Sequence, residues 1–316
     1  MMSAVERVAL LAGGTGAAKL AVGLEKELGA GALTVISNSA DDVDFWGLRV
    51  CPDTDACLFR LAGIFNEKAG FGVADETFNV HAQMRRLAEP DWFWLGDRDL
   101  AFHLVRTALL RQGARLTETA LELGRRLGLQ SRVLPMSDDD VRTCFETDAG
   151  RLGFQEYFVR EKLRPALRGL LFQGLDSARP SPEAVEAVRN ADVVVIGPSN
   201  PLISIGPITA LLGVHLDPDR TVAISPLVAG RALKGPTAEM MRTLRGEASA
   251  KRVAEEYRAL AGLFILDTLD AERAPQIEAL GYRVLVTDTV MEGPDGARRL
   301  AAATLEFARP ASPPGG

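Results

Sequence analysis

A strand–helix–strand pattern near the start of the chain constrains the fold more than any other feature of the sequence. Residues 8–12 are wholly apolar and end at two glycines, which predicts a short buried strand. Residues 17–28 carry leucines at helical spacing, and residues 33–36 form a second apolar segment. A strand, a helix and a strand within about 30 residues form a βαβ unit, which favours a parallel sheet.

The same alternation returns in the second half of the chain. Further short apolar segments predict strands at residues 193–196, 221–224, 263–266 and 284–286. Helices are predicted between these strands at residues 182–188 and 274–280. We therefore predict an α/β fold with a doubly wound, Rossmann-like and mostly parallel sheet in three αβα layers.

The middle of the chain is predicted to be mostly helical. Leucine spacing indicates helices over residues 97–111 and 116–127, followed by a strand at 130–134 and a hairpin at 144–159. The simplest organisation is one α/β domain over residues 1–307, with a helical insertion near 56–128. Residues 308–316 are rich in proline and glycine, which is typical of a disordered tail.

Charge and cysteine content exclude several classes of protein. The net charge is −6 and no basic stripe is present, so we expect no nucleic-acid partner. The cysteines are three in number and lack C-x-x-C spacing, which is typical of reduced thiols. The apolar run at residues 8–12 is too short for a signal peptide, and nothing approaches the ~20 apolar residues that span a bilayer. We therefore expect a cytoplasmic protein without a membrane partner.

The first glycine-rich turn is a candidate phosphate-binding loop. Gly13, Gly14, Thr15 and Gly16 join the first predicted strand to the first predicted helix, and Lys19 follows in that helix. Glycines let a backbone approach a phosphate, and the start of a helix offers free N–H groups. The spacing matches neither a Walker loop nor a full G-x-G-x-x-G motif. A tight turn without a ligand is the alternative.

Two acidic clusters follow within 15 residues of each other. Asp41 and Asp42 come after the second predicted strand, and Asp53 and Asp55 precede a predicted helix. Carboxylates at a strand end are suited to bind Mg²⁺ together with phosphate and water. A solvated turn and helix capping are the alternatives for the two clusters.

Two further segments carry polar or aromatic groups. Residues 92–95 are aromatic and apolar and precede Arg98 and His103; they are suited to stack a flat ring and pair with an anion, or simply to pack. Ser199 and Asn200 follow the strand at 193–196 in a proline-rich loop, which favours a ligand site over a spacer. These residues indicate a phosphate-bearing ligand but do not identify a reaction.

Seven segments in a fixed order carry a resemblance to a known family. They are GGTGAAKL, NSADD, PDTD, WFWLGDRDLAFHL, LPMSDDDVRT, FQEYFV and GPSNPLISIGPI. Together they resemble the 2-phospho-L-lactate transferase (CofD-like) family over roughly residues 8 to 230. The related gluconeogenesis factors, which bind nucleotide sugars, would not be expected to carry the PDTD and LGDRDLA segments.

The resemblance implies a reaction in coenzyme F-420 biosynthesis. A phosphorylated three-carbon acid, of the 2-phospho-L-lactate or phosphoenolpyruvate type, would move from a guanosine diphosphate-linked donor to 7,8-didemethyl-8-hydroxy-5-deazariboflavin, with release of GMP. A 3-phosphoglycerate donor is an alternative within the same reaction. A non-enzymatic regulator that binds nucleotide sugars is the alternative outside it. A homodimer is the expected assembly.

The resemblance also implies roles for individual residues. Asp55 and Arg98 are expected to contact the deazaflavin. Our own hypothesis of direct phosphoryl transfer adds catalytic roles for Asp55 and Lys19. In the same hypothesis, Asp41 and Asp42 bind Mg²⁺. The nucleotide is expected to lie against two loops, formed by Gly13, Gly14, Thr15 and Gly16 and by Ser199 and Asn200.

Overall fold

The computed structural model describes residues 5–309 of the 316-residue chain. The first half contains β1 (Val8–Ala12), α1 (Gly14–Glu27), β2 (Leu33–Ser37), β3 (Val43–Phe45), β4 (Leu48–Val50), α2 (Pro52–Leu61), α3 (Asn79–Arg86), α4 (Asp97–Arg111), α5 (Leu116–Arg126) and β5 (Arg132–Pro135). Helices α2 to α5 occupy the region where the helical insertion was predicted.

The second half begins with a small antiparallel region and returns to alternating strands and helices. Its elements are β6 (Arg142–Thr147), β7 (Gly150–Gly153), a π-helical turn (Glu156–Arg160), β8 (Leu167–Gln173), α6 (Pro182–Asn190), β9 (Val193–Ile196), α7 (Gly206–Leu212), β10 (Thr221–Ile224), β11 (Leu227–Val228), β12 (Arg231–Ala232), α8 (Thr237–Arg245), α9 (Ala250–Tyr257), β13 (Leu263–Asp267), α10 (Ala274–Glu278), β14 (Arg283–Thr287) and α11 (Gly293–Ala308). Ala308 thus ends a helix, and the remainder of the predicted tail, from residue 310, lies outside the described residues.

The central sheet confirms the predicted doubly wound fold. Within residues 5–309 it has seven strands in the order β14-β13-β10-β9-β1-β2-β5, and every neighbouring pair is parallel. From β1 the chain builds outward through β2 and β5, and then returns to β9 on the other side. The loops after β1 and β9 therefore lead to helices on opposite faces of the sheet, α1 and α7, and this topology opens a crevice at the carboxyl edge.

Both faces of the sheet are buried, which explains why its strands are apolar without alternation. Val8, Leu10 and Ala12 of β1 pack against α1, α2, α5 and α11. Ala9 and Leu11 point to the opposite face, which α6, α7, α8 and α9 cover. Successive side chains of a strand point to opposite faces, so a parallel strand between two helical layers is apolar at every position.

The hairpin predicted at residues 144–159 is only partly correct. Strands β6 and β7 pair antiparallel, but β8 adds a third strand on the other side of β6. Residues 156–160 form the π-helical turn instead of extending a strand. The ring of Tyr157 in this turn is buried 4.7 Å from that of Phe145, so tertiary packing of aromatic rings outweighs local strand preference.

Candidate active site

A cleft of about 650 Å³ opens at the carboxyl edge of the central sheet. It lies where the topology predicts a ligand site, between the loops that follow β1 and β9. The predicted residues that line it are Gly13, Gly14, Thr15, Gly16, Lys19, Asp41, Ser199 and Asn200. The structure therefore brings the first glycine-rich loop, one acidic residue and the second polar loop to one cavity.

Close packing between the two loops explains the glycines of the first one. A Cβ atom on Gly13 would lie 2.5 Å from the Cβ of Ser204, and one on Gly16 would overlap the carbonyl oxygen of Pro198. The backbone N–H of Ala17 donates to Ser199 Oγ at 3.3 Å. These glycines therefore allow the loops to meet, in addition to any role toward a ligand.

Asp53 links the acidic segment to the start of α1. Its Oδ1 accepts a hydrogen bond from the backbone N–H of Gly14 at 2.8 Å, and its Oδ2 accepts one from Asn38 Nδ2 at 3.2 Å. Asp53 also lines the cleft. Sequence reasoning singled out its segment but assigned the site to Asp55 alone. The available signal was the two-residue spacing of Asp53 and Asp55 at a helix start. Residues at that spacing point in different directions from a helix, and only Asp53 lines the cleft.

Asp41 and Asp53 form a pair of interacting carboxylates in the cleft. Burial raises the pKa of Asp41 well above its usual range, and the nearby Asp53 carboxylate raises it further. Burial also raises the pKa of Asp53 to about 6, although the hydrogen bonds from Gly14 and Asn38 lower it. Asp41 Oδ1 is buried and has no hydrogen-bond partner within residues 5–309. Close carboxylates with an unpartnered oxygen fit a divalent cation, which would favour their ionised forms.

Asp42 occupies a different environment from its neighbour in sequence. Its side chain is fully buried, and its Oδ2 lies 3.5 Å from Arg49 Nε. Burial raises its pKa to about 7, against the opposing effect of the Arg49 guanidinium. Asp42 is not among the residues that line the cleft. The structure thus separates the two carboxylates that the sequence grouped as one metal site.

Asp55 belongs to a buried network behind the cleft rather than to its wall. Arg106 holds both carboxylate oxygens: Nη1 donates to Oδ2 at 3.1 Å, and Nη2 donates to Oδ1. His103 lies between two acids, with Nδ1 3.7 Å from Asp55 Oδ2 and Nε2 3.3 Å from Asp99 Oδ1. The Arg106 side chain is 1% exposed. Arg106 is therefore a structural partner of Asp55, a role that sequence reasoning did not assign to it.

Arg98 lies outside the cleft on the exposed start of α4. Its Nη1 donates to the carbonyl oxygen of Ala74 at 3.0 Å, and its backbone N–H donates to Glu76 Oε1. Neither Arg98 nor Asp55 lines the cleft that the Gly13–Gly16 loop lines. A ligand that touches all three must extend beyond the cleft.

Two lysines and Asn200 also line the cleft. Lys19 reaches the cleft from α1, and Lys234, which sequence reasoning missed, reaches it from the segment after β12. Asn200 Oδ1 accepts hydrogen bonds from the backbone N–H groups of Leu202 and Ile203 at 2.9 and 3.4 Å. Asn200 thus fixes the shape of its own loop, while the two lysines supply positive charge at the cavity.

Comparison with known proteins identifies the family. The model of the family described as 2-phospho-L-lactate transferase CofD matches residues 8–283. The chain belongs to this family. It is 38% identical over 307 residues to the 2-phospho-L-lactate transferase of Methanopyrus kandleri, covering 95% of this chain and 97% of the relative. It is 36% identical over 312 residues to the phosphoenolpyruvate transferase of Streptomyces griseus, covering 96% and 98%.

Membership of the 2-phospho-L-lactate transferase family makes the chain an enzyme, a transferase, and disfavours the non-enzymatic regulator. A crystal structure of a UPF0052-family protein from Bacillus halodurans superimposes with a TM-score of 0.59 at 17% identity, covering 95% of this chain and 99% of that one. That likeness shows the shared fold alone. Within residues 5–309, none of the helices combines the length and hydropathy that a bilayer-spanning segment requires.

Proposed function

We propose that this transferase moves a phosphorylated three-carbon acid from a guanosine diphosphate-linked donor to 7,8-didemethyl-8-hydroxy-5-deazariboflavin and releases GMP. One observation carries the proposal: the glycine-rich loop, the Asp41–Asp53 pair and two lysines line a single cleft at the topological switch point. That combination suits a diphosphate with a divalent cation. Relatives named for phospholactate and for phosphoenolpyruvate match at similar identity, so either acid fits the proposal.

The donor's diphosphate would lie against the start of α1. Two of the first backbone N–H groups there, those of Gly14 and Ala17, already donate to Asp53 and Ser199. Thr15 and Gly16 carry the others, which have no partner inside the helix. Lys19 would add positive charge one turn further along. These groups would stabilise the negative charge that develops on the departing GMP.

We place Mg²⁺ at Asp41 and Asp53, which share the cleft, and give Asp42 a supporting role beside Arg49. When bound, the cation would offset the negative charge of the diphosphate. Asp53 would hold its ligand geometry because Gly14 and Asn38 fix both of its oxygens.

The acceptor would approach from the side of Asp55 and Arg98. Its terminal ribityl hydroxyl would attack the phosphorus that bears the acid and give up its proton to the Asp55 carboxylate. A new O–P bond would form as the bond between that phosphorus and the GMP oxygen breaks on the opposite side. Catalysis of this kind is largely positioning and charge neutralisation. Because Arg106 holds both oxygens of Asp55, Asp55 would orient the acceptor through this fixed pair. The assembly we propose is a cytoplasmic homodimer.

Product analysis tests the proposal. The purified protein is incubated with Mg²⁺, the deazaflavin and each activated donor, carrying phospholactate, phosphoenolpyruvate or 3-phosphoglycerate. We expect GMP together with a product whose mass equals that of the deazaflavin plus one phosphorylated acid, less one water molecule. GDP binding without product from any of the three donors would reject the proposal.

A further inference from the structure

Two stacked phenylalanines form an aromatic wall of the cleft that no assigned role uses. Phe154 and Phe158 both line the cavity, and in the described part of the chain they are its only aromatic lining residues. Their ring centroids lie 4.2 Å apart with an interplanar angle of 12°. Both side chains are half-buried, so part of each ring is covered by protein and part faces the cavity.

The position of this pair is fixed from behind and from the side. The ring of Phe145 in the core lies 6.1 Å from that of Phe154 and 5.8 Å from that of Phe158. Between them in sequence, buried Gln155 donates from Nε2 to the carbonyl oxygen of Asp41 at 3.0 Å. The π-helical turn begins at the next residue, and such turns frequently occur at functional sites. The aromatic wall is therefore held at a set distance from the acidic pair.

The sites expected for the two substrates indicate which flat ring would meet the two phenylalanines. Asp55 and Arg98, which we expect to contact the deazaflavin, do not line the cleft. The glycine-rich loop, which would hold the diphosphate, does line it. We propose that Phe154 and Phe158 stack the purine base of the nucleoside diphosphate donor. This inference rests on the proposed function, because it assumes that a guanosine diphosphate group occupies the cleft.

The test compares two probes that differ by the nucleoside. Binding of GDP and of inorganic diphosphate, each with Mg²⁺, is measured by calorimetry for the wild type, Phe158→Leu and Phe158→Tyr. Binding of the deazaflavin to the same proteins is measured in parallel. Stacking of a base on an aromatic side chain accounts for roughly tenfold in affinity. We expect Phe158→Leu to weaken the binding of GDP by about tenfold and to leave the affinity for diphosphate unchanged. Phe158→Tyr keeps an aromatic ring and should bind GDP as the wild type does.

Phe307→Leu is the matched control, since Phe307 is also half-buried but lies at the far end of α11, and it should leave both affinities unchanged. Equal GDP binding by wild type and Phe158→Leu would overturn the stacking role. An equal loss of GDP binding and diphosphate binding would overturn it too, because the substitution would then act on the phosphate site through Gln155 and Asp41. If Phe158→Leu lost deazaflavin binding and kept GDP binding, the aromatic wall would belong to the acceptor site, and the proposal that it stacks the purine base would be rejected. Failure of the wild type to bind GDP at all would reject the proposed function itself.

Discussion

The backbone N–H of Gly14 donates to the carboxylate of Asp53 at 2.8 Å, joining residues 39 positions apart. Gly14 is the first residue of α1 and Asp53 lies in the first turn of α2. A carboxylate at a helix start is stabilised by the helix dipole. This contact brings the candidate phosphate loop and the candidate metal ligand to one point.

Asp53→Asn should weaken divalent-cation binding in the presence of GDP by on the order of tenfold or more, because it removes a charged oxygen ligand. Manganese titration followed by electron paramagnetic resonance measures this directly. Asp44→Asn is the control, since that carboxylate is 59% exposed and belongs to surface ion pairs. Equal manganese affinity in Asp53→Asn and the control would remove Asp53 from the metal site.

The stabilisation by Mg²⁺ should grow as pH rises from 5 to 7.5. In the metal-free protein the raised pKa values of Asp41 and Asp53 favour folding at low pH. Their contribution is full below the unfolded-state pKa and is lost as pH rises through the folded-state value. A cation that binds the ionised pair reverses that loss. Melting temperatures with Mg²⁺ and with a chelator check this; a difference that is independent of pH would contradict it.

Asp55→Asn should destabilise the protein by about 3–5 kcal/mol, because it leaves the buried Arg106 guanidinium without its charged partner. The remaining folded protein should bind GDP normally and turn over more slowly. Urea unfolding measures the stability, and a steady-state assay below the transition measures turnover.

The double variant Asp55→Asn/Arg106→Met tests whether the loss of stability comes from the broken charge pair. It should be less destabilised than the sum of the single variants, since both charges are removed together. Additive losses of stability would show that the pair is not coupled. Turnover equal to that of the wild type in Asp55→Asn would remove Asp55 from the mechanism.

Gly16→Ala should weaken GDP binding by on the order of tenfold, because the added methyl group meets the carbonyl oxygen of Pro198 and displaces the loop that carries Ser199. Gly29→Ala is the matched control, since a Cβ there meets no atom within 4 Å. Calorimetry with GDP compares the two. Similar affinities would mean that the two loops adjust without changing the nucleotide site.

Much of the central sheet could be predicted because its strands are buried on both faces. The segments at 8–12, 193–196 and 221–224 coincide with β1, β9 and β10. A short, mostly apolar run is typical of a strand that is buried on both faces, so the sequence pattern predicts such strands directly. Helix α9 was not predicted, although Val253, Ala254 and Tyr257 pack it against the sheet. Apart from Ala250, its remaining positions are charged, and a pattern of only eight residues carries little periodic signal.

The sequence by itself determined the fold class, the family, and the two loops and two acidic segments that contribute to the cleft. The tertiary structure decided which side chains of those segments face it. Asp41 enters the cleft and Asp42 turns to Arg49; Asp53 enters it and Asp55 turns to Arg106. The physical reason is that the partners of Asp53 and Asp55 lie far away in sequence: Arg106 is 51 residues from Asp55, and Gly14 is 39 from Asp53. Only folding brings such groups together, and a local pattern does not encode them.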